Sequence, residues 1–401
     1  MKPKILDVNE SVKWIGILDF DIRTFDIVME TEHGTTYNSY FIDADKKAIV
    51  ETSKEQFSDE YIDKVKSVTS PSDIEYIIFN HTEPDHSGSL TKLLAIAPNA
   101  TVVGSGQAIK YLQDMHDVDF KFQVVKDGDE ISLGNKTLRF IGAPNLHWPD
   151  SIFTYLIEDK ILFTCDSFGA HYCSNEMFDD LVKDDYHDAF KYYFDVILKP
   201  FSKFMLKAIE KIRPLQIDVI ATGHGPILRK NHTQIVDLSE QYAKEYIKEN
   251  ESHKKRALIS YVSAYGYTKE MALALAEGVK SAGDIDVEVL DVEKIDIGEI
   301  DSRLVLADAI LVGCPTINQN ILLPIYKLFA VINPIRDRGK LAAAFGSFGW
   351  SGEGVGIIEA NLKSLKLNVV NSPAAMKFRP DSDQKDELIK FGNEFGAKML
   401  G

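Results

Sequence analysis

Short apolar runs separated by turns fill roughly the first 250 residues. In "NSYFIDADKKAIVETS" two β-rich runs flank an Asp-containing turn, which predicts a hairpin-like pair. "KTLRFIGAP", "SIFTYLIED" and "KILFTCD" continue the strand pattern. Helical spacing interrupts it from Leu90 to Ala97 and again, at greater length, from about Tyr186 to Ile212. Together these predict a mixed sheet structure flanked by helices. Near 241–256 the stretch "QYAKEYIKENESHKKR" turns highly charged, as the end of a solvated helix would, and marks a boundary between domains at 1–250 and 255–401. Beyond it "RALISYV", the helical "TKEMALALAEGVKSAG", "IDVEVLDV", "ADAILVGCP", "GKLAAAFGS" and "LNVVNSP" follow one another at intervals of roughly 30 residues. Strands alternating with helices in this way predict βαβ units in a doubly wound parallel sheet.

Composition narrows the function. The net charge of −16 disfavours nucleic acid and anionic membrane surfaces as partners. No apolar run is long enough for a membrane span, and "MKPKILDVNE" lacks the apolar core of a secretory signal. Three scattered cysteines, Cys165, Cys173 and Cys314, argue against a disulfide framework and for a reducing cytoplasm. They also exclude a four-cysteine metal centre, so any metal must use imidazole and carboxylate.

One stretch invites that chemistry. "HTEPDHSG", just past the run Tyr76-Ile77-Ile78-Phe79, crowds His81, Glu83, Asp85 and His86 into one loop. Stacking like charges there is costly unless a cation offsets it. His147, Asp166 and His224 each follow another β-like run. Singly, a histidine in such a position is more often a surface or capping group, and an aspartate more often a turn former. Four histidines and three carboxylates together suit two metals with one bridging carboxylate.

The order H-x-E-x-D-H, then His, Asp and His, resembles the metallo-β-lactamase-like superfamily, whose hydrolases usually carry H-x-H-x-D-H and bind zinc. Glu83 stands where they have the second histidine, and a hard carboxylate oxygen tilts a site toward iron or manganese. The resemblance implies that His81, Glu83 and His147 hold one metal, that Asp85, His86 and His224 hold the other, and that Asp166 bridges them.

The second domain carries three polar loops after strands. Ser263, Tyr265, Gly266, Tyr267 and Thr268 lead into a helix whose positive end can cradle a phosphate. "GCPTINQN" supplies Pro315, Thr316 and Asn318, and "GSFGWSGEG" supplies Ser347, Phe348, Gly349, Trp350 and Gly352. A single glycine-rich turn is usually only a turn. Three at strand ends, in order, resemble flavodoxin and imply FMN, with Trp350 flanking its ring.

With "GTTYNSY", "LHWPDS", "CDSFGAH", "ATGHGP" and "KFRPD", the whole chain resembles the flavodiiron proteins, also called A-type flavoproteins. The resemblance implies an α/β chain in which a metallo-β-lactamase-like αββα sandwich precedes a flavodoxin-like doubly wound parallel sheet. It also implies FMN, two iron ions, and reduction of dioxygen to water, of nitric oxide to nitrous oxide, or of both. A head-to-tail homodimer, or a dimer of dimers, is expected. Three cysteines cannot build a rubredoxin centre, so the expected donor is separate, a rubredoxin-like protein or a reduced deazaflavin coenzyme. Where the family often has a histidine near the substrate pocket, "LDFDIRTFDIV" offers Asp26, and Phe20 replaces a tryptophan. His171 reads equally as a pocket group or a packing histidine. Tyr193, with Tyr192, reads as pocket lining or as core. The competing readings are a lactamase-like metallohydrolase with an attached flavodoxin module and a pure electron carrier whose metal site is structural.

Overall fold

The structure is a computed structural model that describes residues 4–25, 29–252, 254–295, 297–334, 336–370 and 374–401. The chain divides into two compact units, Met1–Glu251 and Ser252–Gly401.

In the first unit Tyr40–Ile42 and Lys47–Val50 pair antiparallel with Phe41 opposite Ile49, forming the hairpin expected around the Asp-containing turn. They lie in a seven-stranded sheet that continues through Ile74–Ile78 and Thr101–Gly104. A five-stranded sheet runs Glu130–Ser132, Thr137–Gly142, Ile152–Leu156, Ile161–Cys165 and Val219–Thr222. One buried cluster draws on both sheets, with Val50, Ile78 and Val103 from the first and Phe140, Leu156 and Phe163 from the second. The outer face of the first sheet packs Phe41, Ile49 and Ile77 against Tyr61, Val65 and Leu93 of flanking helices. On the second sheet, Phe153 and Leu162 pack against Met205, Ile209 and Ile235. The result is the helix–sheet–sheet–helix order expected. Because both faces of each sheet are covered, the strands read as near-continuous apolar runs: Phe163 faces the other sheet while Leu162 faces the helices. Full burial of each such side chain contributes roughly 1.5–3 kcal/mol.

The long helix expected from Tyr186 to Ile212 is broken. His187–Tyr193 passes through a π-helical turn, Phe194–Leu198, and a 3₁₀ turn, Lys199–Phe201, before Ser202–Ile212 resumes. Pro200 has no N–H to donate and its ring crowds the preceding turn, so a regular helix cannot run through it. The charged stretch at 241–256 falls largely on the helix His232–Ser252.

The second unit is a parallel sheet ordered Asp286–Asp291, Arg256–Tyr261, Ala309–Gly313, Leu341–Phe348, with Asn368–Val369 and Ala375–Lys377 both pairing with the last of these. Its first strand in sequence therefore sits second in space, which leaves a switch point between Arg256–Tyr261 and Ala309–Gly313. Helices Tyr267–Ser281 and Ser382–Leu400 cover one face through Leu275, Val279 and Phe395. Leu323–Val331 and Glu353–Ser364 cover the other through Leu328 and Ile358. Of the expected strand "LNVVNSP", Asn368–Val369 is extended, and 371–373 lie outside the described residues.

Candidate functional site

Four strand ends of the first unit deliver the cluster. Ile74–Ile78 leads to His81, Thr137–Gly142 to His147, Ile161–Cys165 to Asp166 and Val219–Thr222 to His224. The last two strands are parallel neighbours, so Asp166 and His224 emerge at the same end. Pro84 opens the one-turn helix Pro84–Ser87, which turns Asp85 and His86 inward and buries both. All seven residues singled out in the sequence are brought together.

They form two groups around Asp166. Its Oδ2 lies 3.1 Å from His147 Nε2 and 3.6 Å from His81 Nε2. Its Oδ1 lies 3.0 Å from His86 Nε2 and 3.4 Å from His224 Nε2. Glu83 Oε2 completes the first group at 3.2 Å from His81 Nε2 and 3.0 Å from His147 Nε2. Asp85 Oδ2 completes the second at 3.1 Å from His224 Nε2 and 3.4 Å from His86 Nε2.

The outward ring nitrogens are held by groups the sequence reading did not assign. His81 Nδ1 meets both oxygens of Asp150 at 3.2 Å, and Asp150 also accepts from the Thr82 N–H and hydroxyl at 2.8 Å each. His224 Nδ1 donates to the Thr36 carbonyl at 2.6 Å. Asp150 belongs to the "HWPDS" stretch; the Thr36 carbonyl, a main-chain atom, leaves no mark in a sequence.

Electrostatics follow the geometry. Burial opposes charge on His86, but Asp85 and Asp166 outweigh it and raise its pKa to about 9. His147 is likewise raised to about 9, burial again being overcome, here by hydrogen bonds to Asp166 and Glu83. Glu83 and Asp166 are also buried, yet the facing imidazoles hold both well below the ordinary carboxylate range. Burial pushes the carboxyl of Glu51, a residue not singled out in the sequence, up to about 8 despite His86 beside it.

One wall beside this cluster is aromatic. His171 is buried, with its Nδ1 2.9 Å from Thr35 Oγ1 and its ring 4.4 Å from Phe25, 4.8 Å from Tyr193 and 5.1 Å from His224. Burial, with His224 adding to it, holds His171 well below its ordinary pKa and therefore neutral. Tyr193 is buried 6.1 Å from the His224 ring, whereas Tyr192 is exposed. Asp26 lies outside the described residues, and Phe20, the tryptophan's replacement, is exposed.

In the second unit the three loops follow the ends of neighbouring parallel strands and are tied together. Thr268 Oγ1 and Ser347 Oγ stand 3.0 Å apart, the Thr316 N–H donates to the Ser347 carbonyl at 2.8 Å, and the Gly354 N–H donates to Thr316 Oγ1 at 3.1 Å. Gly266, at φ 86°, turns the chain into the helix Tyr267–Ser281 and offers no side-chain cap to its first amides. Ser263 Oγ accepts from the Lys269 N–H at 3.3 Å. Asn318 has a left-handed φ of 54°, and Pro315 is buried beneath its loop. Phe348 lies under Gly352, where an added Cβ would come within 3.1 Å of its ring, and Gly349 approaches Phe378. Tyr265 and Trp350 each leave 82% of their surface exposed, two aromatic faces with little covering them.

Residues 35–225 match the family model described as ODP family beta lactamase, and residues 259–392 match flavodoxin. Over 98% of its length the chain is 40% identical to the flavo-diiron protein FprA2 of Clostridium acetobutylicum, of which it covers 99%. The chain belongs to the flavo-diiron protein family. It is also 34% identical to the nitric oxide reductase of Moorella thermoacetica, with 98% of each chain covered. Its fold matches rubredoxin oxygen:oxidoreductase of Desulfovibrio gigas with a TM-score of 0.69 at 28% identity, covering 99% of this chain and 98% of that one.

The residues fit what that family name implies. Both oxygens of Asp85 are buried without a hydrogen bond among the described residues, although His224 Nε2 is only 3.1 Å away. Lone pairs so placed suit a cation. The Tyr267 and Thr268 amides, which the N-cap Gly266 leaves without a side-chain cap, suit a phosphate, and the two exposed rings suit a flat heterocycle.

Proposed function

We propose that this flavo-diiron protein is an oxidoreductase that reduces dioxygen to water, nitric oxide to nitrous oxide, or both. The observation that carries the reading is Asp166, whose two oxygens face two different groups of ligand-type residues. His81, Glu83 and His147 would hold one iron, Asp85, His86 and His224 the other, and Asp166 both. When bound, two irons and FMN supply the electrons, four for dioxygen and two for the coupling of two nitric oxide molecules.

The chain's own groups do the rest. Asp150 and the Thr36 carbonyl fix the tautomers of His81 and His224, so that each presents an Nε2 lone pair to the cluster. Phe25, His171 and Tyr193 shield one side from water. Tyr193 keeps its phenolic proton, because burial and then Asp166 raise its pKa well above the ordinary value. Ser263, Thr268 and the first amides of Tyr267–Ser281 would bind the FMN phosphate, Pro315, Thr316, Asn318, Ser347 and Phe348 would line the flavin's seat, and Tyr265, Gly349, Trp350 and Gly352 would flank its ring.

The reading extends to a head-to-tail homodimer, which would set the flavin of one subunit beside the metal pair of its partner, and to a separate electron donor such as a rubredoxin. No helix among the described residues is long and apolar enough to cross a membrane. Three free thiols support a reducing, cytoplasmic setting.

The test is to load the protein with iron and FMN, reduce it anaerobically, and compare consumption of dioxygen and nitric oxide with one donor. Active protein holding zinc and no iron, or iron-loaded protein that turns over neither gas, would return the assignment to the metallohydrolase alternative.

A further inference from the structure

Two of the four cluster histidines have a partner on the ring nitrogen turned away from the cluster: Asp150 for His81 and the Thr36 carbonyl for His224. His86 does not. Its Nε2 faces Asp166 at 3.0 Å, and its Nδ1 is buried without a hydrogen bond among the described residues. A second orphan lies beside it. Glu51 is buried, its Oε1 accepts from the Asn80 N–H at 2.8 Å, and its Oε2 has no partner among the described residues. Ligand-type atoms of Glu51, His86 and Cys165 lie within 4.8 Å of one another. Since Nε2 is engaged on the cluster side, Nδ1 is the nitrogen left for Glu51. A carboxyl oxygen accepts an N–H far better than the neighbouring thiol does.

The main chain around Glu51 is built for the purpose. Glu51 closes the strand Lys47–Val50 at φ 59°, a left-handed conformation that a glutamate rarely takes. Its N–H donates to the Ile78 carbonyl at 2.9 Å and its carbonyl accepts from Ser39 Oγ at 2.8 Å, which fixes that conformation. The next residue grips His86 from behind: Thr52 N and Oγ1 both donate to the His86 carbonyl, at 2.8 and 2.6 Å. Backbone strain beside a ligand loop, locked by hydrogen bonds on both sides, is what a positioning device requires.

We propose that Glu51 is the positioning residue for His86, accepting its Nδ1–H so that Nε2 faces the second metal position. The inference rests on the ligand reading given above and adds a residue to it. Glu51 acts through the imidazole and touches no metal itself. It completes a set in which Asp150, Glu51 and Thr36 serve His81, His86 and His224 in the same way. Loss of such an outer partner typically weakens metal binding 10–100-fold.

The experiment is an anaerobic titration of full-length, metal-stripped protein with Fe(II), following the two binding steps by calorimetry and the two iron environments by Mössbauer spectroscopy. E51A should weaken one step at least tenfold, leave the other near wild type and broaden a single iron signal. E51Q keeps a carbonyl acceptor in the same shape and should fall between the two. Equal weakening of both steps would make Glu51 merely structural and overturn the inference, as would wild-type behaviour of E51A. If E51A does not fold, E51Q with unchanged affinities and spectra overturns it equally. H86A distinguishes the ligand assignment from the role of Glu51. If H86A still binds both irons, the ligand assignment itself fails; if it loses one while E51A loses none, only the role of Glu51 fails.

Discussion

Glu83 Oε2 stands between two imidazoles, 3.0 Å from His147 Nε2 and 3.2 Å from His81 Nε2, and Glu83 is the residue at which the motif departs from H-x-H-x-D-H. Its substitution therefore tests metal choice directly. Glu83→Ala removes the carboxylate from one trio and should leave that trio without iron and the protein without gas reduction. FMN binding, which depends on the other unit, should be unchanged. Glu83→His should raise zinc affinity relative to iron, since imidazole suits the softer ion. Elemental analysis with flavin absorbance decides both, and full turnover in Glu83→Ala would mean that the ligand assignment is wrong.

Protonation gives a second handle in metal-stripped protein. His86 and His147 have folded pKa values of about 9 against an ordinary 6.5, so the folded state keeps protons that the unfolded chain releases. Their contribution is complete below about pH 6.5 and lost as pH rises through 9, at most roughly 3 kcal/mol each. Glu51, raised from 4.5 to about 8, acts in the same direction between those values. Glu83 and Asp166 are depressed, so their contribution is present above the ordinary carboxylate range and is lost on acidification. The stripped protein should thus melt highest on the acid side of neutrality and lose several degrees by pH 9. Iron should flatten that alkaline limb, because metal binding requires deprotonated imidazoles. Calorimetric melts at pH 6.5 and 9, with and without iron, measure the difference. Equal melting of the stripped protein at the two pH values would contradict the charge balance described.

The seven clustered residues were legible because each follows an apolar run that has to be a strand, and parallel strands deliver their trailing loops to one end. The groups that lie behind their imidazoles were not. Asp150 lies 69 positions from His81, and nothing local to either announces the contact. Glu51 reads as the polar end of a hairpin until its strand is seen to run beside Ile74–Ile78. The long helix at 186–212 failed for the opposite reason: its apolar spacing is real, but Pro200 at its centre overrides the pattern. The three polar loops of the second unit were legible as strand-end turns. Their hydroxyl links, such as Thr268 to Ser347 across 79 positions, were not.

That link supports a third prediction. Thr268 is buried at the start of the helix Tyr267–Ser281, and its hydroxyl ties the first loop to the third. Thr268→Ala removes a hydroxyl available to a phosphate and frees Ser347. A hydrogen bond to a charged group is worth about 1.5–3 kcal/mol, so FMN affinity should fall by roughly 10–100-fold. Iron content should not change. Fluorescence titration of stripped protein with FMN measures the loss, and wild-type affinity would remove Thr268 from the proposed phosphate site.

The second unit depends on a close crossing of two helices. A Cβ on Gly278 would lie 2.1 Å from the Ile389 carbonyl oxygen, and one on Gly392 would lie 2.4 Å from the Leu275 carbonyl oxygen, so each helix approaches the other's backbone through a glycine. Gly278→Ala gains about 1 kcal/mol of helix propensity. Against this, the obstacle is backbone that cannot swing aside, and overpacking of this kind costs about 1–3 kcal/mol or more. The clash should win, lowering the melting temperature of this unit by several degrees. Gly356 supplies the control: it lies within the helix Glu353–Ser364, and a Cβ there meets nothing within 4 Å. Gly356→Ala keeps the propensity gain without the clash and should be neutral or slightly stabilising. Thermal melts followed by flavin release compare the two. If Gly278→Ala melted no lower than Gly356→Ala, the helices would be free to part at that crossing, and close approach of their backbones would not be what holds this face of the sheet covered.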